Sequence, residues 1–395
     1  MVGKLVRTTA LALAVAVCLV GCAASETPSP APSQTMTADV PRRVAPDPVT
    51  VEARRRLAAM TLEQRISSML MLHFPGTDAA AIAAESLQYE PGGIILMGDN
   101  TAAGTAGVRA ITAAVDAAAD ADAALPLLVA VDQEGGEVSR IVEDPSPGAD
   151  VLRGQAASVT ENAFAARADV LAAAGISVNF GIIADETSDP NSFLAGRVLG
   201  TDPAAAAEHV TAAVAGEHGR VLSTLKHFPG HGAAPGDSHS SIPTTGKSLA
   251  EWRTTDAVPF RAGIDAGAEL VMFGHLEYSA VDPAPASLSA VWHRILRDEL
   301  GFDGIAISDD MGMLDHSGVP ALVNRSENAI AAIAAGSTMV LYVPSPDASG
   351  AAGAFDPDAL VADVAAAVRA GRIPAETVDR AAMKLLRARI GLSGS

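Results

Sequence analysis

A lysine, three histidines and an aspartate stand close together in a stretch of this chain that is rich in glycine and proline. The segment Lys226 to Gly232 carries the lysine and two histidines, and Asp237 and His239 follow it. The apolar run 221–225 just before it predicts a buried strand. Ionisable groups at the end of a buried strand are typical of an α/β enzyme site. A solvated loop and a metal site are the alternatives.

Metal binding is the less favoured interpretation of these histidines. His227, His231 and His239 are all potential ligands. Zinc usually needs a fuller set of Cys and His at characteristic spacing, and the sequence has no second such cluster. We therefore predict no metal and no other cofactor.

Ionisable groups also stand at the ends of three other apolar runs. One run ends at Asp132, with Arg140 shortly after it, another ends at His275, and a third ends at Asp309 and Asp310. Because the carboxyl ends of barrel strands meet at one mouth, these side chains are expected to converge with the lysine and histidines. A cup lined by both carboxylates and cations suits a neutral ligand with many hydroxyl groups.

The elements that must position these groups follow an alternating pattern. Helical stretches, such as 102–119, 156–174, 203–219, 249–266 and 319–335, separate short apolar runs, and a final amphipathic helix is predicted at 374–390. Glycines that can cap such helices follow at Gly175, Gly219, Gly267 and Gly336. Strands that are apolar on both faces and alternate with helices predict a parallel sheet. We count eight such runs, at 68–74, 93–97, 127–132, 177–185, 221–228, 270–275, 304–309 and 338–343.

Eight strand–helix units predict a closed (β/α)8 TIM barrel in a single domain. An open, doubly wound sheet is the alternative. The usual nucleotide reasons for that fold are missing, since neither a GxGxxG motif nor a P-loop follows the first strand.

The amino terminus reads as a targeting segment and not as part of the fold. Lys4 and Arg7 precede an apolar run that is too short to span a bilayer but suits a signal peptide. The run ends Leu-Val-Gly-Cys, which resembles the bacterial lipobox, so Cys22 is the predicted lipidation site. An ordinary secretory signal is the alternative. We predict a signal peptide at 1–21 and an extracytoplasmic protein anchored by lipid to the bacterial cell membrane.

Residues 22–48 are mostly Ala, Ser, Thr and Pro and predict a tether, whereas 49–395 form the predicted catalytic barrel. The formal net charge is −19, and it becomes more negative when Lys4 and Arg7 leave with the signal peptide. An acidic surface argues against nucleic acid as a partner and against electrostatic docking on anionic lipid. The lipid anchor is thus the only predicted membrane contact, and a monomer is the default.

The motifs of the predicted barrel resemble those of glycoside hydrolase family 3, and more closely its single-domain β-N-acetylglucosaminidases. They occur in the family's order along nearly the whole predicted barrel, from Met60 to Leu392. The matching stretches are Val131–Gly136 with Arg140, Lys226–Gly232, Asp237-Ser238-His239, Ser287-Leu288-Ser289, Gly301–Ile305 and Ser308–Met311.

This resemblance implies the catalytic residues. Asp309 corresponds to the nucleophile, which attacks the anomeric carbon and forms a covalent glycosyl-enzyme. The acid/base is expected to be His239, oriented by Asp237 on a mobile loop. A histidine can do this work because its pKa lies near neutrality. Asp310 alternates to the other face of the strand and is expected to support its neighbours.

The resemblance also implies the sugar contacts. Asp132 is expected to accept hydrogen bonds from sugar hydroxyls, and Arg140, Arg197, Lys226 and His227 are expected to donate them. Arg197 lies in Ala-Gly-Arg-Val-Leu-Gly, where the family pattern is closer to Gly-Asp-Arg-Ser-Phe-Gly. The acid/base loop departs too, since 233–236 is less polar than usual. His275 and His231 are expected to support the site and shape the loop, respectively.

The function predicted from these residues is a retaining exo-β-N-acetylglucosaminidase. It would remove terminal β-linked N-acetylglucosamine (GlcNAc) from peptidoglycan or muropeptide fragments, in cell-wall turnover and recycling. A phosphorylase of the same glycosides is one alternative, since a histidine acid/base carries no negative charge to repel phosphate. A broader β-glucosidase is another, and a sugar-binding lipoprotein of a transporter is a remote third.

Overall fold

The computed structural model describes residues 47–344 and 355–392. The predicted signal peptide, Cys22 and nearly all of the predicted tether lie outside these residues. None of the helices within the described ranges has the length and apolar character needed to cross a membrane.

Eight parallel strands close into a barrel, as the sequence predicted. Each strand pairs with its neighbours in the chain, and the first pairs with the last through Leu70 and Val340. The barrel strands are β1 (Leu70–Leu72), β2 (Gly93–Leu96), β3 (Leu128–Val131), β4 (Val178–Ile183), β5 (Leu222–Phe228), β6 (Leu270–Phe273), β7 (Ile305–Asp310) and β8 (Met339–Tyr342). Short strands outside the barrel are Gln133–Gly135, Val138–Ser139, Thr244–Thr245 and Glu277–Tyr278. The prediction of a (β/α)8 barrel is confirmed.

Helices surround the barrel and cover the outer face of its strands. They are α1 (Pro48–Ala59), α2 (Leu62–Ser67), α3 (Ala79–Tyr89), α4 (Gly104–Ala121), α5 (Ala149–Leu152), α6 (Ala157–Ala173), α7 (Pro203–Glu217), α8 (Leu249–Thr254), α9 (Ala257–Asp265), α10 (Ala290–Arg294), α11 (Gly312–Asp315), α12 (Arg325–Ala335), α13 (Pro357–Arg369) and α14 (Ala375–Leu392). Shorter helical turns are His231–Ala233, Ala286–Leu288, Ile295–Glu299 and Pro320–Leu322. Seven of these helices lie outside the helical stretches identified from the sequence, namely α1, α2, α3, α5, α10, α11 and α13.

The strands are buried on both faces, which explains why their sequences are continuous apolar runs. All six residues of β4 are buried, as are all three of β1. Inside and around the barrel these side chains form two large apolar clusters, and both pack the sheet against its helices. A rigid frame of this kind fixes where each strand ends.

Irregular pairing occurs near the ends of the strands that carry the predicted site. The register shifts between β4 and β5, between β5 and β6, and between β7 and β8. In the last case the shift falls between Ile307 and Asp310. Bulges at the rim of a barrel change the direction in which side chains point. The peptide bonds Lys226–His227 and Phe228–Pro229 are cis.

Candidate active site

Four charged side chains form a compact ionic cluster at the mouth of the barrel. Two come from the segment after β3, one from the loop after β4 and one from β5. Glu134, just after β3, accepts two hydrogen bonds from Arg197, of 2.7 and 2.8 Å. Lys226, near the end of β5, bridges Asp132 and Glu134 with Nζ–O distances of 2.8 Å each. The predicted sugar contacts Asp132, Arg197 and Lys226 are thus brought together by a carboxylate that the sequence did not single out.

Glu134 is ionised despite being almost completely buried. Burial raises the pKa of Glu134, but the charges of Lys226 and Arg197 and their hydrogen bonds outweigh it and bring that pKa to about 2. The cluster therefore has two carboxylates and two cations at neutral pH. Since Lys226 and Arg197 are held in place by Glu134, their remaining N–H groups are fixed in position for a ligand.

His227 is held by a second buried carboxylate, Asp185, at the end of β4. Asp185 Oδ2 accepts from the backbone N–H of His227 at 3.0 Å and lies 2.7 Å from its Nδ1. Burial lowers the pKa of His227 well below its ordinary value, so the ring is neutral. The contact with Asp185 occupies Nδ1 of His227 and leaves Nε2 for another partner. That His227 donates a hydrogen bond to the sugar stays a prediction.

Asp309 lies at the end of β7, partly exposed at the same mouth. Burial raises the pKa of its carboxyl, but attraction to His227, His275 and Lys226 and the N–H of Asp310 outweigh this, so the pKa is lowered. An ionised carboxylate facing the cation side of the cup has the charge that a nucleophile requires. The structure thus places the predicted nucleophile beside the predicted sugar contacts.

Asp310 points away from the ionic cluster that Lys226 forms, because successive side chains of a strand alternate between its two faces. Its Oδ1 accepts from the backbone N–H groups of Gly312 at 3.0 Å and Val343 at 2.9 Å. Burial raises its pKa to about 7. The carboxyl of Asp310 thus connects β7 to the residues after β8 and holds the strand end that carries Asp309.

His275, at the end of β6, is completely buried and uses both ring nitrogens within the protein. Its Nδ1 lies 2.7 Å from the hydroxyl of Ser287, and its Nε2 lies 2.9 Å from the carbonyl oxygen of Asp310. No ring nitrogen remains for a sugar. The geometry therefore agrees with a supporting place for His275 next to the carboxylate of Asp309.

Arg140 directly follows Val138–Ser139, the second strand of the hairpin after β3. Its backbone N–H donates to Gln133 Oε1 at 2.8 Å, and the Gln133 amide in turn donates to Asp144 at 3.0 Å. Asp144 also forms an ion pair with Arg167, and both side chains of this pair are almost fully buried. The Nε of Arg140 is buried without a hydrogen-bond partner in the described residues, and its contact with a sugar stays a prediction.

The predicted acid/base pair lies on a loop after β5 and is largely exposed. Asp237 Oδ1 accepts from the backbone N–H of His239 at 3.0 Å and lies 2.6 Å from its Nδ1. The side chains of His239 and Asp237 are 68% and 50% exposed. His239 and Asp310 both line a cavity of about 190 Å³, so the loop stands beside the end of β7.

The base of this loop, unlike its tip, is firmly anchored. Trp252 Nε1 donates to the carbonyl of Pro229 at 2.8 Å, and the Tyr278 hydroxyl donates to that of Gly230 at 2.8 Å. A Cβ on Gly232 would lie 1.9 Å from the Glu186 carbonyl oxygen, so only glycine allows this close approach. The anchored stem and exposed tip meet at Gly236, whose φ is 115°.

Two residues of the site were missed by sequence reasoning. Glu134 holds Arg197 and Lys226 in place. Asp185 holds the ring of His227 and the backbone N–H of His231. Asp185 is the last residue of the apolar run 177–185, and Glu134 lies two residues after the run 127–132, which was the available signal. No group of three His, Cys, Asp or Glu side chains that could hold a metal ion occurs in the part of the chain that the structure describes.

The arrangement combines a carboxylate, a cup of fixed donors and acceptors, and a histidine–aspartate pair on a loop. A carboxylate can attack a sugar carbon and stabilise positive charge there, while the histidine can transfer a proton to and from the departing oxygen. This is the chemistry of glycosidic bond cleavage.

Comparisons with known proteins agree with this chemistry. The model of the glycosyl hydrolase family 3 N terminal domain matches residues 61–388. A beta-hexosaminidase from Stenotrophomonas maltophilia (strain K279a) is 37% identical over 271 residues, which cover 65% of this chain and 79% of that protein.

Solved structures give the same result. The family 3 beta-N-acetylglucosaminidase from Paenibacillus sp. str. FPU-7 superposes with a TM-score of 0.76 at 31% identity, covering 85% of this chain and 64% of that one. The present chain thus spans just under two thirds of that protein. The beta-N-acetylhexosaminidase from Beutenbergia cavernae DSM 12333 gives a TM-score of 0.70 at 31% identity, covering 84% and 98%. The predicted resemblance is confirmed: this chain belongs to glycosyl hydrolase family 3 and is a glycoside hydrolase.

Proposed function

We propose that this glycoside hydrolase is a retaining exo-β-N-acetylglucosaminidase. Its β-N-acetylhexosaminidase class rests on the relatives, which are named beta-hexosaminidase, beta-N-acetylglucosaminidase or beta-N-acetylhexosaminidase. The observation that carries the finer proposal is the place of Asp309. The pKa of its carboxyl is lowered beside His227, His275 and Lys226, and His239 of the Asp237–His239 loop lines a cavity together with Asp310, the next residue of β7.

The mechanism follows from these positions. With the sugar in the cup, Asp309 attacks the anomeric carbon as the glycosidic bond breaks, and the leaving oxygen takes a proton from His239 Nε2. Asp237 pairs with Nδ1 of the same ring, so Nε2 is the nitrogen free to react. Water then attacks the anomeric carbon and gives its proton to His239, and Asp309 returns as a carboxylate. Two inversions give net retention.

The substrate we propose is terminal GlcNAc β-linked in peptidoglycan or muropeptide fragments, and the process is wall turnover and recycling. The sequence pattern supports the location: an apolar segment ends at Cys22, and residues 22–48 have the composition of a tether. A lipid-anchored enzyme outside the cytoplasm would meet wall fragments directly. Labelling cells with a fatty-acid analogue tests the anchor, and Cys22→Ala should release the protein from the membrane fraction.

The catalytic proposal is tested with a chromogenic β-GlcNAc glycoside and the soluble domain. Asp309→Ala should lower kcat by about 10⁴-fold or more, because it removes the attacking group itself. The first sugar product of the wild type, observed by NMR before mutarotation, should be the β anomer. Equal rates for the two proteins, or an α product, would overturn the assignment of Asp309 or of retention.

Two further reactions use the same site and are separated by simple additions. Inorganic phosphate in the assay should leave the product as free GlcNAc, whereas a phosphorylase would form the sugar 1-phosphate. A matched β-glucoside should be cleaved far more slowly than the β-GlcNAc glycoside. Comparable rates for the two would favour the broader β-glucosidase.

A further inference from the structure

His231 is a buried histidine whose ring has no hydrogen-bond partner. The residue is 1% exposed, and neither Nδ1 nor Nε2 is hydrogen-bonded to any residue that the structure describes. Only its backbone N–H is used, donating to Asp185 Oδ1 at 2.6 Å. Leaving a buried polar group unpaired costs about 1–3 kcal/mol. A ring kept in this state is explained if it gains a partner in another state of the enzyme.

The ring cannot easily move to find that partner elsewhere. Its edge packs against Phe193, with ring centroids 4.8 Å apart, and against His227 at 6.0 Å. Its backbone is fixed by Asp185 and lies in the anchored stem of the acid/base loop. The partner must therefore come to His231.

Asp237 offers the complementary atom. Its Oδ1 takes both hydrogen bonds from His239, while Oδ2 accepts none from the described residues. Burial raises the pKa of Asp237, but the hydrogen bonds from His239 and the charges of His239 and His231 outweigh it, and the net pKa is lowered. The carboxylate of Asp237 is thus already within electrostatic reach of the buried ring.

The chain between these two residues can bring them together. Only five residues separate His231 from Asp237, and they include Gly236, with its φ of 115°. The pair Asp237–His239 is exposed, so closing over a sugar would bury it toward the stem. A glycine at that φ allows backbone conformations that other residues avoid.

We propose that, when the loop closes over bound sugar, a ring nitrogen of His231 donates a hydrogen bond to the free carboxylate oxygen of Asp237. The resulting chain His231–Asp237–His239 fixes the height and orientation of the acid/base imidazole over the glycosidic oxygen. His231 is then a positioning residue, since it acts on the reaction through Asp237. This inference rests on the proposed function, in which Asp237 and His239 form the acid/base.

The test uses two substrates that differ in their need for acid catalysis. An aryl β-GlcNAc glycoside with a poor leaving group needs a proton from His239, whereas the 2,4-dinitrophenyl glycoside leaves without one. His231→Phe replaces the ring with an apolar one of similar shape, so it should fold with an unchanged or higher Tm. His231→Gln keeps a side-chain donor.

We expect His231→Phe to lower kcat/KM for the poor leaving group about 10–100-fold, as for a lost charge-assisted hydrogen bond. For the dinitrophenyl glycoside, kcat/KM should fall less than about threefold, and the inhibition constant of GlcNAc should not change. His231→Gln should recover part of the loss. In an Asp237→Asn background, His231→Phe should have little further effect, since the two act as one unit. His218→Asn, an exposed histidine on the barrel wall, is the matched control and should be silent.

Three outcomes overturn the inference. Unchanged kinetics with both substrates would leave His231 without a positioning effect. Equal losses with both substrates, with weaker GlcNAc binding, would mean that the ring contacts the sugar. Additive losses with Asp237→Asn would separate the two residues. If His231→Phe does not fold, then His231→Gln decides by the same criteria. Failure of the proposed function looks different: the wild type would not cleave either glycoside.

Discussion

The two halves of the site are built in different ways. The sugar cup, formed by Asp132, Glu134, Arg197 and Lys226, is paired and mostly buried before any ligand is present. The side chains of the proposed acid/base pair Asp237–His239 hydrogen-bond each other, and the histidine side chain is more than half exposed. In the proposed mechanism, folding therefore sets the geometry of binding, whereas proton transfer depends on the loop.

The cup is supported from below by a continuous polar network. Asn179, inside the barrel, bonds both the backbone of Gln133 and the carboxyl of Glu217. Gln133 connects in turn to Asp144 and its partner Arg167. Paired polar groups in a buried network rigidify a site, although Glu217 Oε2 and Arg167 Nη1 have no hydrogen-bond partner among the described residues. The tip of the proposed acid/base loop is held by short-range hydrogen bonds, such as that from Ser241 Oγ to the Asp237 carbonyl oxygen at 2.9 Å.

A division of this kind fits the chemistry. The cup must hold one sugar closely, so preorganised donors and acceptors reduce the cost of binding. The acid/base must admit the rest of the substrate and release it, and exposure at the loop permits both. In the proposed mechanism, closure of the loop over a bound sugar completes the site.

The largest effect is expected from removing the negative charge that Lys226 and Arg197 share in the cup. Glu134→Gln leaves Lys226 and Arg197 buried without their shared carboxylate. We expect a loss of about 3–5 kcal/mol in the free energy of unfolding at pH 7, and turnover at low substrate (kcat/KM) should decrease by about 10²-fold or more. Because the lowered pKa of Glu134 keeps it ionised, its contribution is fully present above about pH 4.5 and is lost as pH falls through about 2. Urea unfolding and GlcNAc inhibition constants measure the two effects.

Glu137→Gln is the matched control, since Glu137 is exposed three residues further along the same hairpin. It should change neither stability nor GlcNAc binding. If Glu134→Gln binds GlcNAc as well as the wild type does, the cup is not the rigid half of the site.

The sequence predicted the fold in more detail than the site. All eight barrel strands were located because each is apolar on both faces. The stretch 249–266 was predicted as one helix, but α8 ends at Thr254 and α9 begins at Ala257. Two residues lie between them, and the first, Thr255, has φ −124° and ψ −97°, which is not helical. No local pattern at a threonine signals that break.

Within the site, local pairs were predictable and long-range pairs were not. The family resemblance implied that Asp237 and His239 form a pair, and their spacing of two residues lets both side chains lie on the same side of an extended loop. Glu134 and Lys226 are 92 positions apart in the numbering, so their ion pair depends on the closure of the barrel. Exposure is also a property of the folded state, so the difference between cup and loop could not be derived from residue types.

The network below the cup gives a prediction for pH. Burial raises the pKa of Glu217 to about 8, so its protonated form is the one that folding favours. The native state then binds more protons than the unfolded chain between about pH 4.5 and 8, and stability falls as pH rises through that window. Glu217→Gln should remove this slope and gain about 2–5 kcal/mol at about pH 8.5 relative to the wild type.

Thermal unfolding from about pH 5 to about pH 9 tests this expectation. The control is Glu208→Gln, on the exposed face of the same helix α7, which should keep the wild-type slope. If the stability of Glu217→Gln changes with pH as steeply as that of the wild type does, the support of the cup does not depend on a neutral Glu217.

The smallest expected effect concerns the hinge of the loop. Gly236 has φ 115°, and a Cβ there would meet its nearest atom at 3.7 Å, so space is available but the conformation is not. Gly236→Ala costs about 1–3 kcal/mol in backbone strain confined to the loop. We expect kcat to fall about 3–10-fold, because the loop samples its closed form less often, while GlcNAc inhibition constants stay the same.

Gly246→Ala is the control for this substitution, since no atom lies within 4 Å of a Cβ there and its φ is ordinary. It should leave kcat unchanged. Should Gly236→Ala weaken GlcNAc binding as much as it slows turnover, the loop would already contribute to the ground-state cup. Binding and proton transfer would then share one preformed structure, and the contrast between the two halves would be lost.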